Sequence, residues 1–408
     1  RSVISDVPVD FDGYTPENYD EHFHGQVALS DALAQSLNIP AVKVLNDIEV
    51  SSLTNTLDRL NFKQIQKDKD KLGLSVALGG CGVSLEELTG MYSVFANNGD
   101  YFVPTFSKEA VSKRGTEILT PQANYMVAQI LTTLRRSDLP NRAESVLNMP
   151  KIAWKTGTSY GRRDAWSIGF NSNYTVGVWC GNFDGKGVPE LNGADIATPL
   201  LLQIFTAINK NTDKDWFKRP KELQFRYVCA ESGDVPNEFC TSKIMAYYIP
   251  GKSPNKKCTH LKKVWVNTDS TMLYCAACLP NDGYLEKLYP NYAPELLSYF
   301  ESNNLPFVHL PPHNPACRKV YENNHPKITK PVNGLTYYIN AKEQQELMLV
   351  AQAANDVQRI SWYDYNKFIK TVEKNEPVFI QPSIGKIKIS CTDDKGRNTD
   401  SWVMVQGM

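Results

Sequence analysis

The sequence predicts an α+β fold that is followed by a cysteine-rich segment and a small β-sandwich. Three observations lead to this prediction. Helical patterns surround a run of antiparallel strand patterns in residues 1–209, six of the nine cysteines lie in 229–317, and short strands dominate 326–408. A chain of 408 residues is long enough for two or three domains. We therefore expect domains at 1–209 and 326–408, with a connector at 210–325.

The composition is that of an ordinary globular protein and excludes several other classes. Hydrophobic residues make up 42% of the chain and charged residues 22%. The 44 basic and 44 acidic residues balance, so no net charge favours nucleic acid or an acidic membrane surface. No apolar run reaches the about 20 residues that cross a bilayer. The chain begins with Arg1, and we expect it to be a piece of a longer protein.

Capping residues predict several helices in the first segment. Ser30 is expected to cap a short helix, and Asn38 to cap the next one, with Pro40 in its first turn. Ser84 and Glu87 have the spacing of a capping box, and the helix that they open carries apolar residues toward a core.

Strand patterns follow these helices. Residues 152–158, 165–170 and 174–181 read as strands, and the last two are joined by a turn at 171–173 that is short enough to force an antiparallel hairpin. A buried helix is expected to begin at Pro199. Helices packed on an antiparallel sheet form an α+β layer architecture.

The clustered cysteines predict a disulfide framework in the connector. Crowded cysteines in sequence without sustained periodicity are typical of disulfide-stapled segments in an oxidising compartment. The alternative is zinc, for which Cys258, His260, Cys275 and Cys278 could supply four ligands. Disulfides are favoured because the remaining cysteines also need an explanation, but the sequence does not choose among the pairings.

The last segment has the pattern of a small β-sandwich. Short apolar or alternating strands are predicted around 362–363, 378–380, 386–389 and 402–405, and a turn is predicted at 394–397. Short strands separated by turns over about eighty residues indicate a sandwich.

One strand carries residues suited to binding an anion. Lys155-Thr156-Gly157-Thr158-Ser159 places a cation and hydroxyl groups beside a glycine. A glycine weakens a strand and is typical of a position where a ligand or another backbone approaches closely. An ammonium next to hydroxyls suits a carboxylate or an oxyanion. The alternative is a solvent-facing strand in which the glycine has no special role.

A second motif, Ser36-Leu37-Asn38, lies between two predicted helices, where its side chains could project into a cleft. Taken alone, it could equally consist of ordinary capping residues. Together the two motifs resemble two of the three motifs of the active-site-serine penicillin-recognising enzymes. The surrounding residues 33–42, 95–99 and 154–159 resemble class A, bifunctional penicillin-binding proteins, and the tail from about 331 resembles the penicillin-binding protein 1C group.

The opening residues 6–8 and 18–20 also resemble that group. The resemblance implies a β-lactamase-like transpeptidase domain that cross-links peptidoglycan through an acyl-serine intermediate on D-Ala-D-Ala stem peptides. It also implies a glycosyltransferase activity in the whole protein, a periplasmic location and an anchor in the cytoplasmic membrane. It implies no cofactor and no catalytic metal.

The resemblance also implies roles for individual residues. Ser36 would relay a proton to the leaving amine, Asn38 would orient the substrate amide, and Lys155 would hold the Ser36 hydroxyl. Thr156 and Thr158 would bind the terminal carboxylate of the substrate, and the Thr158 N–H would form part of an oxyanion hole. The remaining substrate-binding positions of the motif are Gly157 and Ser159.

The family's serine–x–x–lysine motif is missing from the residues before Ser36. A match follows the lysine strand at Ser253-Pro254-Asn255-Lys256, and we treat it as chance because proline in a helix interior costs about 3 kcal/mol. We expect the nucleophile, a glycosyltransferase domain and a membrane anchor to lie upstream of Arg1.

The expected partners are peptidoglycan stem peptides, β-lactams once the nucleophile is supplied, and a cell-wall, divisome or elongation partner of the sandwich. No nucleic acid is expected. One alternative is a non-catalytic cell-wall or partner-binding protein with a vestigial site, because a fold alone does not establish activity. Another is a hydrolase such as a carboxypeptidase or a β-lactamase, against which the appended sandwich argues.

Overall fold

The computed structural model describes residues 1–9, 11, 14–107, 115–132, 151–208, 216–314, 316–317, 325–339, 345–354, 357–365 and 367–407. The chain divides into two units, Arg1–Cys258 and Thr259–Met408. The division falls inside the segment that the sequence predicts as a connector.

The first unit combines helices with short antiparallel sheets. Its helices are α1 (Leu29–Gln35), α2 (Asn38–Ile48), α3 (Val50–Arg59), α4 (Lys63–Asp68), α5 (Leu85–Ala96), α6 (Pro121–Leu131) and α7 (Thr198–Ile208). Its strands are β1 (Val3–Asp6), β2 (Gly25–Ala28), β3 (Asp100–Tyr101), β4 (Thr116–Glu117), β5 (Ala153–Thr158), β6 (Asp164–Phe170), β7 (Thr175–Gly181), β8 (Gln224–Cys229) and β9 (Lys243–Tyr248). Among the described residues, no helix is both long enough and apolar enough to cross a membrane.

Strands β5, β6 and β7 form an antiparallel sheet in that order, which confirms the three predicted strands and their hairpin. Helix α7 lies on one face, where a Cβ atom added at Gly169 would come within 3.1 Å of Phe205. Helix α5 lies on the other face, where a Cβ atom at Gly177 would come within 2.1 Å of Thr89. The missing side chains let both helices approach the sheet closely, so most of the central strand β6 is buried between them.

The helix starts agree in part with the predicted caps. Ser84 caps α5 through a complete capping box with Glu87, as predicted. Ser30 is wrong as the cap of α1, because the helix begins at Leu29 and Ser30 lies in its first turn. Asn38 is wrong as the cap of α2, because it is already the first helical residue and shows no capping bond of its own.

The second unit contains a three-stranded sheet, one helix and a two-sheet domain. The first sheet has the order β11 (Leu273–Tyr274), β10 (Leu261–Asn267), β12 (Tyr284–Pro290), and α8 (Pro294–Ser302) follows it. The two-sheet domain is built from β13 (Lys327–Lys330), β14 (Thr336–Ile339), β15 (Leu347–Gln352), β16 (Arg359–Asp364), β17 (Lys367–Glu373), β18 (Val378–Ile380), β19 (Gly385–Asp393) and β20 (Asn398–Gly407).

The predicted β-sandwich is present in the second unit. One sheet has the order β13-β15-β18, and the other has the order β14-β20-β19-β16-β17. Their inner faces share one core, in which Leu349 of the first sheet and Trp362 and Ile389 of the second are almost fully buried. The predicted turn at 394–397 joins β19 to β20.

The segment 210–325 contains strands β8 to β12 and helix α8 and is therefore less rich in loops than predicted. The expectation of disulfides is wrong for this structure. All nine cysteines lie in the described part of the chain, and none is joined to another by a disulfide bond. The Sγ atoms of Cys275 and Cys278 are 3.7 Å apart, whereas a disulfide requires about 2.05 Å.

The sandwich core contains a cysteine whose reactivity the fold suppresses. Burial raises the pKa of Cys391 to about 12, with the charges of Asp393 and Asp400 adding to the effect. Thiol alkylation requires the thiolate. We therefore expect iodoacetamide at pH 8 to leave Cys391 unmodified in the native protein and to modify it in concentrated urea, as measured by peptide mass mapping. Equal modification rates in both conditions would contradict the burial of this side chain.

Candidate active site

The central feature of the candidate site is a hydrogen bond between the two sequence motifs. The Nζ atom of Lys155 on β5 donates to the Oγ atom of Ser36 at 2.5 Å and to the carbonyl oxygen of Thr156 at 2.8 Å. Both Ser36 and Lys155 are partly exposed. The structure therefore brings an ammonium and an alcohol, 119 residues apart in the sequence, to one solvent-accessible point.

Ser36 reaches this point because it ends helix α1. It has the left-handed conformation, with φ 61° and ψ 39°, and its N–H donates back to the carbonyls of Ala32 and Leu33. The next N–H, that of Leu37, donates to the Ala32 carbonyl at 2.9 Å. A residue other than glycine in this conformation costs of order 1–3 kcal/mol, although helices commonly end with a left-handed residue. This conformation turns the chain sharply, so that the serine hydroxyl points toward Lys155 on β5.

Asn38 opens helix α2, and another asparagine caps that helix. The Asn18 Oδ1 atom accepts from the N–H of Asn38 at 2.8 Å and from that of Ile39 at 3.4 Å. The Asn38 side-chain amide donates to the Glu17 carbonyl at 2.7 Å. The segment around residue 18 therefore holds both the backbone and the side chain of Asn38.

A buried carboxylate fixes Asn18 in turn. Asp6 is fully buried, and the Nδ2 atom of Asn18 lies 2.9 Å from each of its carboxylate oxygens. The N–H of His24 donates to Asp6 Oδ2 at 3.0 Å, and the Nδ1 atom of the same ring lies 2.7 Å from that oxygen. Buried charges persist in proteins when hydrogen bonds compensate them. This network ties β1 to the turn that carries Ser36 and Asn38.

The two threonines of the lysine motif point away from Ser36. Lys155 is paired with Ile168 and Thr156 with Ser167, so the alternation along β5 places Lys155 and Gly157 on one face and Thr156 and Thr158 on the other. Thr156 is 7% exposed. The Thr158 hydroxyl accepts from the N–H of Gly193 at 3.1 Å.

Gly157 lies against a second glycine. A Cβ atom added at Gly193 would come within 2.6 Å of the Gly157 carbonyl oxygen and 2.5 Å of that of Trp166. The close backbone approach predicted at Gly157 is thus made by the π-helical segment Gly193–Ala197 that precedes α7, and the constraint acts on Gly193. Ser159 closes the strand end, where its hydroxyl accepts from the Asp164 N–H at 2.9 Å.

Within the part of the chain that the structure describes, strand β5 is an edge strand of its sheet, because the order is β5-β6-β7. Backbone N–H and C=O groups on the outer side of an edge strand are able to pair with an added peptide strand. The site therefore combines a cation, a strained serine and a strand edge. Such a combination is able to align a peptide and to position the negative charge at its end.

The serine–x–x–lysine match at 253–256 lies in a turn after β9 and not in a helix. The Ser253 Oγ atom accepts from the N–H of Ile249 at 2.8 Å. This hydroxyl stabilises the turn, which agrees with the prediction that the match to the serine–x–x–lysine motif is chance.

Three family models match the chain, and all describe penicillin-binding proteins. Residues 4–204 match the penicillin-binding protein transpeptidase domain, 219–263 match the penicillin-binding protein 1A C-terminal domain, and 315–405 match the penicillin-binding protein C-terminus family. The chain belongs to the penicillin-binding proteins. The expected class A resemblance is confirmed by the relatives that it matches.

Two curated relatives illustrate this membership. Penicillin-binding protein 1C of Escherichia coli is 31% identical over 260 residues, which are 62% of this chain and 33% of that protein. Penicillin-binding protein 1A of Aquifex aeolicus is 28% identical over 269 residues, with shares of 62% and 35%. The chain thus spans about a third of the length of these relatives.

A solved structure supports the fold assignment. The crystal structure of penicillin-binding protein 1A from Haemophilus influenzae superposes with a TM-score of 0.53 and 19% identity, covering 63% of this chain and 46% of that one. At this identity the similarity concerns the fold, and it agrees with the predicted transpeptidase architecture.

Sequence reasoning named both partners of the central hydrogen bond but missed the residues that support them. Asp6 and Asn18 lie in segments whose sequence resembles the 1C group, yet that resemblance assigned no role to either residue. Gly193 carried no motif. Asn192-Gly193 before a helix start was the available signal, because asparagine followed by glycine marks a turn.

The buried network gives a stability prediction. Replacing Asn18 by alanine removes both bonds to the Asp6 carboxylate and the acceptor that caps α2. Bonds to charged groups contribute about 1.5–3 kcal/mol, so we expect Asn18→Ala to lower the free energy of unfolding by about 2–3 kcal/mol. Urea denaturation followed by tryptophan fluorescence measures the change.

The matched control for this experiment is Asn55→Ala on α3, because Asn55 is exposed. Exposed substitutions of this kind change stability by about 0.5 kcal/mol or less. An Asn18→Ala variant as stable as the control would show that Asp6 does not need this partner.

Proposed function

We propose that the first unit forms the substrate-binding side of a peptidoglycan D,D-transpeptidase. The hydrogen bond from Lys155 to Ser36 carries the proposal, because it joins the two motifs in a partly exposed position. Membership of the penicillin-binding proteins and the match of 4–204 to their transpeptidase domain support it. The substrate class is a stem peptide that ends in D-Ala-D-Ala, and β-lactams would occupy the same site.

The proposed reaction has two steps. A serine hydroxyl gives up its proton and attacks the carbonyl carbon of the penultimate D-Ala, the amide bond breaks, and the proton passes to the amine of the terminal D-Ala, which leaves. An amine of a neighbouring stem peptide then attacks the acyl-serine, forms the cross-link and releases the serine. The attacking serine belongs to the serine–x–x–lysine motif, which we propose to be supplied by sequence outside this chain.

Ser36 is proposed to deliver the proton to the leaving amine, since its hydroxyl can donate one proton and accept another. Lys155 is proposed to orient that hydroxyl and to hold it near a positive charge, which favours an anionic substrate end. Asn38 is proposed to align the substrate amide from the first turn of α2.

The strand edge is proposed to bind the peptide backbone. The outer edge of β5 would receive the stem peptide, and the Thr158 N–H would donate to the developing oxyanion. The hydroxyl groups of Thr156 and Thr158 lie on the far face of the strand, so their proposed contact with the substrate carboxylate would pass around this edge. Gly157 and Ser159 complete the proposed substrate-binding strand.

The whole protein is proposed to work at the periplasmic side of the cytoplasmic membrane, where peptidoglycan is built. A membrane anchor and a glycosyltransferase domain are proposed to accompany this chain in that protein. The C-terminal sandwich is proposed to bind a cell-wall or cell-division partner.

A labelling experiment tests the assignment of the nucleophile. Residues 1–408 are expected to show no covalent adduct after incubation with a fluorescent penicillin, because Ser36 serves as a proton relay and Ser253 lies in a turn. Gel fluorescence and intact-mass spectrometry measure the adduct. One equivalent of penicilloyl adduct on this chain would overturn the proposal that the nucleophile lies elsewhere.

A second experiment tests the role of Lys155. In a longer protein chain that adds an upstream serine–x–x–lysine, Lys155→Ala is expected to slow penicillin acylation by about 10²-fold or more, since proton transfer by positioned groups contributes about 10²–10⁴-fold. The matched control is Lys71→Ala, which removes an exposed lysine from a short 3₁₀ helix and should leave the rate unchanged.

The same experiment separates the enzyme from the alternative, a binding protein with a vestigial site. Failure of the unsubstituted longer protein to label would favour that alternative. Labelling that proceeds at the same rate in Lys155→Ala would reject Lys155 as part of the site.

A further inference from the structure

Four side chains with metal-binding atoms meet in the second unit. Cys275, Cys278, His313 and Cys317 each offer one sulfur or nitrogen atom, and these atoms all lie within 4.8 Å of one another. All four residues are half-buried. Thiolate sulfur and imidazole nitrogen are the ligands of structural zinc sites.

The spacing of these atoms matches a tetrahedral zinc ion. With zinc–sulfur bonds of about 2.3 Å and zinc–nitrogen bonds of about 2.0–2.1 Å, two sulfurs lie roughly 3.8 Å apart and a sulfur and a nitrogen roughly 3.5 Å apart. The Sγ atom of Cys275 lies 3.7 Å from those of both Cys278 and Cys317. The Sγ atom of Cys278 lies 3.5 Å from His313 Nε2. These separations are far too long for disulfide bonds.

The backbone holds the two halves of this cluster together. The Leu273 N–H donates to the Pro312 carbonyl at 2.8 Å, and the Asn314 N–H donates to the Leu273 carbonyl at 2.8 Å. His313 lies between these two bonds, and the Cys317 N–H donates to the Asn314 carbonyl at 3.0 Å. The loop that carries His313 and Cys317 is therefore hydrogen-bonded to strand β11 at Leu273, and Leu273 lies two residues before Cys275.

The sequence spacing is also that of a zinc site. Cys275 and Cys278 are separated by two residues, and His313 and Cys317 by three. Two ligands on each of two tight turns are the usual arrangement, because each turn brings its pair to one side of the ion. The N–H of Cys278 donates to the Cys275 carbonyl at 3.0 Å and closes the first turn.

This part of the chain has little hydrophobic core to stabilise it. Between Thr259 and Cys317, the buried hydrophobic side chains among the described residues are those of Val266 and Leu296. Most of strand β12 is exposed. Small structures that bury little apolar surface usually require disulfides or a metal ion, and this structure joins none of these cysteines by a disulfide.

We infer that Cys275, Cys278, His313 and Cys317 bind a zinc ion in a closed structural site. Four protein ligands complete the tetrahedron, so no position remains for water or substrate. Binding would release the thiol protons and would couple zinc to the folding of the region 261–317. The ion would replace the disulfide staple that the sequence suggests.

The zinc content of the whole chain needs a comparison between variants, because the first unit contains a second group of sulfurs. Cys229, Cys240 and Cys258 are buried there, and their Sγ atoms lie within 4.8 Å of one another. Any metal at that group adds to the total. The inferred site is therefore measured by difference.

The first test measures zinc in residues 1–408, purified under reducing conditions after exposure to zinc and removal of the excess. Cys278→Ala/Cys317→Ala is expected to hold about one zinc ion per chain fewer than the unsubstituted protein. The matched control, Cys81→Ala/Cys180→Ala, removes two half-buried cysteines outside both groups and should hold the same zinc as the unsubstituted protein. Equal zinc in all three proteins would overturn the inference, as would peptide mapping that finds Cys275 in a disulfide.

The second test does not require the double variant to fold. Cobalt bound to sulfur and nitrogen in a tetrahedron absorbs visible light, and the absorption changes with the ligand set. His313→Cys keeps four ligands, so the variant is expected to bind cobalt with the same stoichiometry and a changed spectrum. A spectrum identical to that of the unsubstituted protein would show that His313 is not a ligand.

Discussion

The hydrogen bond between the Lys155 ammonium and the Ser36 hydroxyl is the interaction on which the rest of the candidate site depends. It requires an edge strand that presents the lysine and a helix end that presents the serine. The left-handed conformation of Ser36 meets the second requirement at an energetic cost. Packing of the flanking residues offsets that cost. Ala34 and Leu37, which lie on either side of Ser36, are buried and fix the corner between α1 and α2.

This corner is supported by polar groups as well as by apolar ones. Asn18 links the fully buried Asp6 carboxylate to the first turn of α2, so hydrogen bonds connect strand β1 to the serine–x–asparagine turn. Each donor of Asn18 and each oxygen of Asp6 has a partner among the described residues. A buried network that is satisfied in this way specifies one geometry, whereas a partly satisfied one would destabilise the fold.

The two units are stabilised by different means. The first unit packs α5 and α7 on opposite faces of a three-stranded sheet, and Gly169 and Gly177 permit the close contact. The sandwich of the second unit encloses a core of aliphatic side chains around Trp362. Among its described residues, the β10–β12 region has no comparable core, and the side chains of Cys275, Cys278, His313 and Cys317 meet there instead.

The sequence by itself determined the features that depend on neighbouring residues. The capping box at Ser84, the hairpin of β6 and β7, the lysine strand and four of the sandwich strands (β16, β18, β19 and β20) were predicted, because turn chemistry and alternation act over a few positions. Tertiary structure decided which asparagine caps α2 and which glycine packs against Gly157. It also decided which side chains lie beside those of Cys275 and Cys278. These choices depend on contacts between residues that are distant in the sequence, such as Cys275 and Cys317 with their separation of 42 positions, and local patterns contain no information about them. The cysteines show the difference most clearly, because their clustering in the sequence suggested a disulfide framework, whereas their positions in space place Cys275, Cys278 and Cys317 around His313.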